Sequence, residues 1–97
     1  MKRKFKNLND VRKSIDKVDN QLVKLISERE FYVKEALKFK INKNQIIDRK
    51  RINIVLKRIK KLSKKNNVNS LIVERLWKLM IKNFIILENK LFKKPRK

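Results

Sequence analysis

The stretch Leu8-Asn9-Asp10-Val11-Arg12-Lys13-Ser14-Ile15-Asp16-Lys17-Val18-Asp19-Asn20-Gln21-Leu22-Val23-Lys24-Leu25 decides the fold. Its apolar positions Leu8, Val11, Ile15, Val18, Leu22 and Leu25 are separated by steps of 3, 4, 3, 4 and 3. That alternation is a heptad seam along one side of an α-helix. Asn7 stands where an N-cap is needed. The pattern continues through Val33, Ala36 and Leu37 and is expected to stop near Ile41, where Asn42-Lys43-Asn44 interrupts it. With no glycine in the chain, Asn is the residue best suited to the left-handed backbone at helix ends.

A helix from Leu8 to Ile41 would be about 50 Å long at 1.5 Å per residue. A compact chain of this size has a radius of gyration of only about 13 Å. Such a helix outruns its own monomer, so a second chain is needed to cover the seam. Further on, Ile52, Val55, Ile59 and Leu62 give the inner face of a second helix from Asp48 to Lys64. Asn66-Asn67-Val68-Asn69 is the next break, and Asn69 or Ser70 caps a third helix reaching Phe92. Its stripe is Val73, Trp77, Ile81, Phe84 and Leu91, with Leu76, Leu79 and Met80 beside it. The expected architecture is all-α: three helices per chain, the N-terminal one very long, in an intertwined helical-bundle homodimer. The helical domain spans residues 8–92, between basic tails at 1–7 and 93–97.

Composition narrows the chemistry. The 97 residues include 30 Lys and Arg against 9 Asp and Glu, a formal charge of +21, with no Gly, Cys or His and a single proline, Pro95. Without Cys or His there is no disulfide, no thiol nucleophile, no imidazole base and no zinc-finger spacing; neither a metal nor a cofactor is expected. Without Gly there is no phosphate-cradling loop or dinucleotide fingerprint. The longest apolar run, Phe84-Ile85-Ile86-Leu87, is too short to cross a membrane, and no apolar segment follows the basic N-terminus, so a cytoplasmic protein is expected. The 22 Lys, 12 Ile and 11 Asn fit a compositional drift toward such residues, with Lys as solvated filler. Since the cations run along the whole sequence, nucleic acid ranks low among the expected partners.

Polar residues interrupt the apolar seams. The step after Leu25 falls on Arg29, and Lys40, eleven residues later, is about 20° further round an ideal helix. Cations facing a bundle interior cost several kcal/mol each unless compensated. They can snorkel to solvent, pair with Asp48 or Glu28, or await an anionic ligand, and two on one face favour the ligand. Glu88 lies on the stripe of Ile81, Phe84 and Leu91. Burial pushes such a carboxyl toward its neutral, donating form, whereas an ion pair with Arg29 or Lys40 holds it ionised. Both readings are open at this level. Arg51, beside the inner face of the second helix, is a further candidate. Asp48, one turn before it, is first of all an N-cap. Arg12, near the seam, is about 25 Å along the helix from Arg29, so those two could meet only between chains.

These residues resemble a known family. Val11-Arg12…Ile15-Asp16…Asp19…Leu22-Val23…Leu25-Ile26…Glu28-Arg29, then Val33-Lys34…Lys38-Phe39-Lys40, then Asp48-Arg49-Lys50-Arg51, is similar to the all-helical (type II) chorismate mutases and the related isochorismate-pyruvate lyases. The resemblance covers about residues 8–92. It implies an intertwined dimer with active sites shared between chains and a small dicarboxylate substrate, chorismate or isochorismate. It further implies that Arg12 of the partner and Arg29 bind the two substrate carboxylates. Lys40 would meet a carboxylate and the ether oxygen of the breaking bond, and Glu88 would donate to the same oxygen. Arg51 would support the carboxylate end, and Asp48 would lie near the ring hydroxyl. Two positions depart from the family's pattern. Ile52 replaces a Glu usual in the mutases, and Phe84 stands where a small polar residue, often Ser, is common. Both make the site less polar and lean toward the lyase branch; mutase is the first expectation and lyase the alternative.

Overall fold

The computed structural model describes residues 4–93; residues 1–3 and 94–97, parts of the two expected tails and including Pro95, lie outside the described residues. The described chain is all-helical. It contains α1 (Leu8–Leu37), α2 (Arg49–Lys65) and α3 (Ser70–Leu91), with one 3-10 turn at Lys43–Gln45 between α1 and α2. The residues up to Tyr32 and those from Val33 onward form two units.

In the first unit, α1 starts as its cap predicts. The Asn7 side-chain oxygen accepts from the Asp10 N–H at 3.0 Å, satisfying one of the free donors of the first turn. Asp10 also places a carboxylate at the positive pole of the helix. The seam residues Leu8, Ile15, Val18, Leu22 and Leu25 are exposed in the single chain, and Val11 is half-buried. Phe31 and Tyr32 meet edge to face, ring centres 5.3 Å apart.

The second unit is built on the α2–α3 hairpin. Asp48 caps α2 by accepting from the Arg51 N–H at 2.9 Å, and Asn69 caps α3 by accepting from Leu71 and Ile72. The connection between them closes in a Schellman motif. Val68 N–H reaches Ser63 C=O at 3.0 Å, and Asn67 N–H reaches Lys64 C=O at 3.2 Å. Asn67 takes the left-handed backbone this demands, at φ 54°. The residue type anticipated for that conformation is the one that adopts it.

Three expectations need correction. α1 ends at Leu37, not Ile41. Its last turn tightens into i→i+3 bonds, from Lys38 to Glu35, Phe39 to Ala36 and Lys40 to Leu37, which unwinds the helix before Lys40. Asn42 does not close α1 either; it is extended and caps the 3-10 turn that follows. On α2, Val55 and Ile59 are buried but Leu62 is exposed, and Ser63, 2 % exposed, takes the inner position instead. A small side chain there permits close helix packing, and its hydroxyl is satisfied by the Ile59 carbonyl at 2.8 Å. On α3, Leu76, Leu79 and Leu91 are exposed, while Val73, Trp77, Ile81 and Phe84 are half-buried.

Candidate functional site

The site is framed by the loop leaving α1. Leu37 and Ile46 are both buried and pin its two ends. Between them, Asn42 and Gln45 form a reciprocal capping box: the Asn42 side chain accepts from Asn44 N–H at 3.1 Å, and the Gln45 side chain accepts from the Asn42 and Ile41 N–H groups. Gln45 thereby fixes the backbone next to Lys40. The Asn-x-x-Gln spacing is a readable capping signature, and sequence reasoning passed over it in treating this segment only as a break.

Held this way, Lys40 directs its ammonium at α3. Its Nζ donates to Glu88 Oε1 at 3.0 Å, with the two side chains 22 % and 9 % exposed. Glu88 is the buried residue of α3, on the last turn but one, where Phe92 N–H closes onto its carbonyl at 2.9 Å. Of the two readings left open for this carboxyl, the structure gives the ion pair, with Lys40 as the partner. A part-buried charge pair of this kind is held by geometry and a charge-assisted hydrogen bond, and its members can exchange one another for a ligand of suitable charge.

The remaining candidates divide. Asp48 and Arg51 sit together at the start of α2, joined through the cap, and both are exposed. The cap reading of Asp48 is therefore correct, using one of its oxygens. Ile52 lies one turn on and is half-buried. It lines an open apolar groove of about 360 Å³ with Ile47, Leu56, Ile81 and Ile85. Lys78 and Lys82 also border that groove, whereas Lys40, Arg51 and Glu88 do not. Phe84 is half-buried, one turn before Glu88 on α3. In the first unit, Arg12 is exposed and Arg29 half-buried, both on α1. The argument that put Lys40 and Arg29 on one helical face does not hold, because the helix ends three residues before Lys40. Among the described residues, no three Asp or Glu gather as a metal site, and no helix is long and apolar enough to cross a membrane.

Similarity to known proteins extends over most of the chain. A family model described as chorismate mutase type II matches residues 11–89. The chain is 34% identical over 83 residues to a chorismate mutase of Methanocaldococcus jannaschii, covering 81% of each chain. It is also 34% identical over 89 residues to a bifunctional chorismate mutase/prephenate dehydratase of Buchnera aphidicola subsp. Schizaphis graminum, covering 91% of this chain and 23% of that protein. A protein of the same description from Buchnera aphidicola subsp. Acyrthosiphon pisum is 34% identical over 84 residues, 86% of this chain and 22% of its own length. The chain thus spans less than a quarter of the two bifunctional relatives.

Proposed function

Because the chain belongs to the chorismate mutase type II family, we propose that it converts chorismate to prephenate, with Lys40 and Glu88 acting on the ether oxygen of the bond that breaks. The observation that supports this reading is the part-buried Lys40–Glu88 pair at 3.0 Å. The rearrangement is pericyclic: one C–O bond breaks as one C–C bond forms within the same molecule, so no nucleophile, metal or net proton transfer is required. What accelerates it is restraint of a flexible dianion in its reactive shape and stabilisation of negative charge growing on the ether oxygen. Two polar groups that already converge within hydrogen-bond distance can both reach one oxygen inserted beside them. Lys40 meets it as a cation. Glu88 would add to this only through a carboxyl O–H, because a carboxylate without hydrogen has nothing to donate. Interactions with the ether oxygen that strengthen as its charge grows favour the transition state over the bound substrate.

Arg29 and the partner chain's Arg12 would hold the two carboxylates, since the guanidinium fork matches a carboxylate bidentately. Arg51 would support the carboxylate end, and Asp48 the ring hydroxyl with the oxygen its cap leaves over. A homodimer is supported by the exposed seam from Leu8 to Leu25 and by the small core. Leu37, Ile46, Val55 and Ile59 are the buried aliphatics of the described residues, too few for a chain of this length to stand alone. One observation favours isochorismate-pyruvate lyase as the second reading. Ile52 faces an apolar groove with no carboxylate among its lining residues, so this position offers chorismate's ring hydroxyl no carboxylate acceptor.

The test is a paired assay of the purified protein, following prephenate from chorismate and pyruvate plus salicylate from isochorismate. Turnover of chorismate at least tenfold more efficient supports the mutase; the reverse preference makes the protein a lyase, and turnover of neither refutes both. For shared sites, Arg12→Ala and Arg29→Ala homodimers are mixed and allowed to exchange subunits. Recovered activity is expected, and demonstrated heterodimers without it would remove the shared-site assignment.

A further inference from the structure

The helices differ sharply in the share of the chain's +21 that each carries. α1, with 30 residues, carries six cations and six carboxylates and is neutral. α2, with 17 residues, carries nine cations and no carboxylate. α3 carries four cations against Glu74 and Glu88. This corrects the expectation of an even spread: drift toward Lys would load α1 at least as heavily, because it is the longer helix. Three of the chain's eight Arg residues also lie on α2, although such drift disfavours Arg. Among the described residues, the ion pairs involve none of the nine cations.

The cations are arranged as well as concentrated. At 100° per residue, buried Val55, Ile59 and Ser63 occupy about 80° of the α2 circumference. Lys60, Lys64, Lys57, Lys50, Lys61, Lys65 and Arg58 fan over about 160° on the opposite side, and all seven are exposed. The helix is about 24 Å long, so its nine charges fall at about one per 2.7 Å. Duplex DNA carries about one phosphate charge per 1.7 Å of axis, a density of the same order.

The geometry points to this outer face of α2 as a binding surface for the phosphate backbone of duplex DNA. A fan this wide reaches phosphates on both walls of a groove, and the B-form major groove, about 12 Å across, admits an α-helix. A single strand offers only one line of phosphates, and the A-form RNA major groove is too narrow. An anionic membrane is disfavoured because the apolar face that would enter it is already packed on α3. Within the fan, Asn53 is the amide available for a base edge, Ile54 is the one apolar side chain and the others are Lys and Arg, so binding is through phosphates and independent of sequence. The inference rests on the charge distribution and not on the mutase reading.

The test is fluorescence anisotropy of the full chain with a labelled 24-base-pair DNA duplex, at salt concentrations from about 50 to 300 mM. Lys57→Gln/Lys61→Gln/Lys64→Gln is compared with Lys13→Gln/Lys17→Gln/Lys24→Gln on α1, which removes the same total charge. The α2 triple should weaken binding at least tenfold at 100 mM salt and flatten the log–log salt slope by about 2–3, at roughly 0.9 per lost phosphate contact. The α1 triple should weaken it less than threefold. Circular dichroism confirms that both triples are folded, and Lys50→Gln/Lys65→Gln gives a second reading of the same face. Equal losses from the two triples would overturn the proposal in favour of bulk charge. Absence of binding at 50 mM salt, or tighter binding to single-stranded RNA or phosphatidylglycerol vesicles, would overturn it also. Mutase turnover by the α2 triple should be unchanged, which separates this surface from the proposed active site.

Discussion

Replacing Lys40 by Met keeps most of the side-chain volume and removes the charge that Glu88 faces. At 3.0 Å and an effective dielectric of about 20, the gross Coulomb attraction between the two groups is about 5.5 kcal/mol. Removing both from water offsets much of this, and the part-exposed Lys40 end lets solvent in, so the net coupling should be about 1–3 kcal/mol. Lys40→Met alone leaves a buried carboxylate without its cation, and should destabilise the protein by about 2–4 kcal/mol. Glu88→Leu alone strands an ammonium that can turn to solvent, and should cost less. The double variant, with an apolar pair, should recover most of the loss. The assay is urea unfolding of all four proteins at one fixed protomer concentration, read as a double-mutant cycle. A coupling energy below about 0.5 kcal/mol would refute the reasoning, because it would mean that solvent already screens the pair and that no desolvated electrostatic site exists there. The same Lys40→Met protein should lose about 10²–10³-fold in kcat, the usual effect of removing one preorganised donor to a developing oxyanion.

Glu88→Gln keeps a hydrogen-bond donor for the ether oxygen and Glu88→Ala removes it, so kcat for chorismate should fall at least tenfold further in the Ala variant than in the Gln variant. Equal losses in the two variants would show that Glu88 does not donate. Leu22→Glu puts a carboxylate on the exposed seam, and sedimentation should show the proposed dimer weakened at least a hundredfold; an unaltered dimer would place the interface elsewhere, and a monomeric parent protein would remove the dimer. Asn67→Ala should destabilise by about 1 kcal/mol, because a Cβ without a local hydrogen bond disfavours φ 54°. Asn67→Gly should be neutral or stabilising in the same denaturation experiment. Asp48→Ala should cost about 1 kcal/mol for the lost cap; an additional rise in KM for chorismate would separate its proposed substrate role from its structural one.

The fold was legible because helix signals are local. Steps of three and four, Asn7, Asp48 and Asn69 at the starts, and Asn67 at a helix end each act within a turn or two of themselves, and each stands where expected. What could not be read was where one helix yields to the next by competition. Leu37 is followed by Lys38, Phe39 and Lys40, none of which forbids another helical turn. The helix stops because Ile46 is buried and the Asn42–Gln45 box closes the loop between them, interactions that no periodicity encodes. The exchange of Leu62 for Ser63 on the inner face of α2 has the same origin: close approach of α3 selects a small side chain over a hydrophobic one.

Lys40 shows how a candidate can outlast the geometry that singles it out. It was singled out by extending the phase of α1 from Arg29, yet the backbone leaves the helix before reaching it. What survives is a charge argument that needs no phase. A stripe of Ile81, Phe84 and Leu91 that also holds a carboxylate must bring a cation to it or keep it neutral. Of the two cations considered, Lys40 stands on a loop with both ends pinned, and it supplies the contact. Placing it on a turn has a consequence for catalysis. A helical lysine is aimed by its helix, whereas Lys40 is aimed by Gln45, through the Ile41 and Asn42 N–H groups. Gln45→Ala should therefore lower kcat for chorismate about tenfold or more while leaving KM within about twofold, since a loosened donor harms the transition state more than substrate binding. Equal changes in kcat and KM, or none, would show that the loop holds Lys40 without this box.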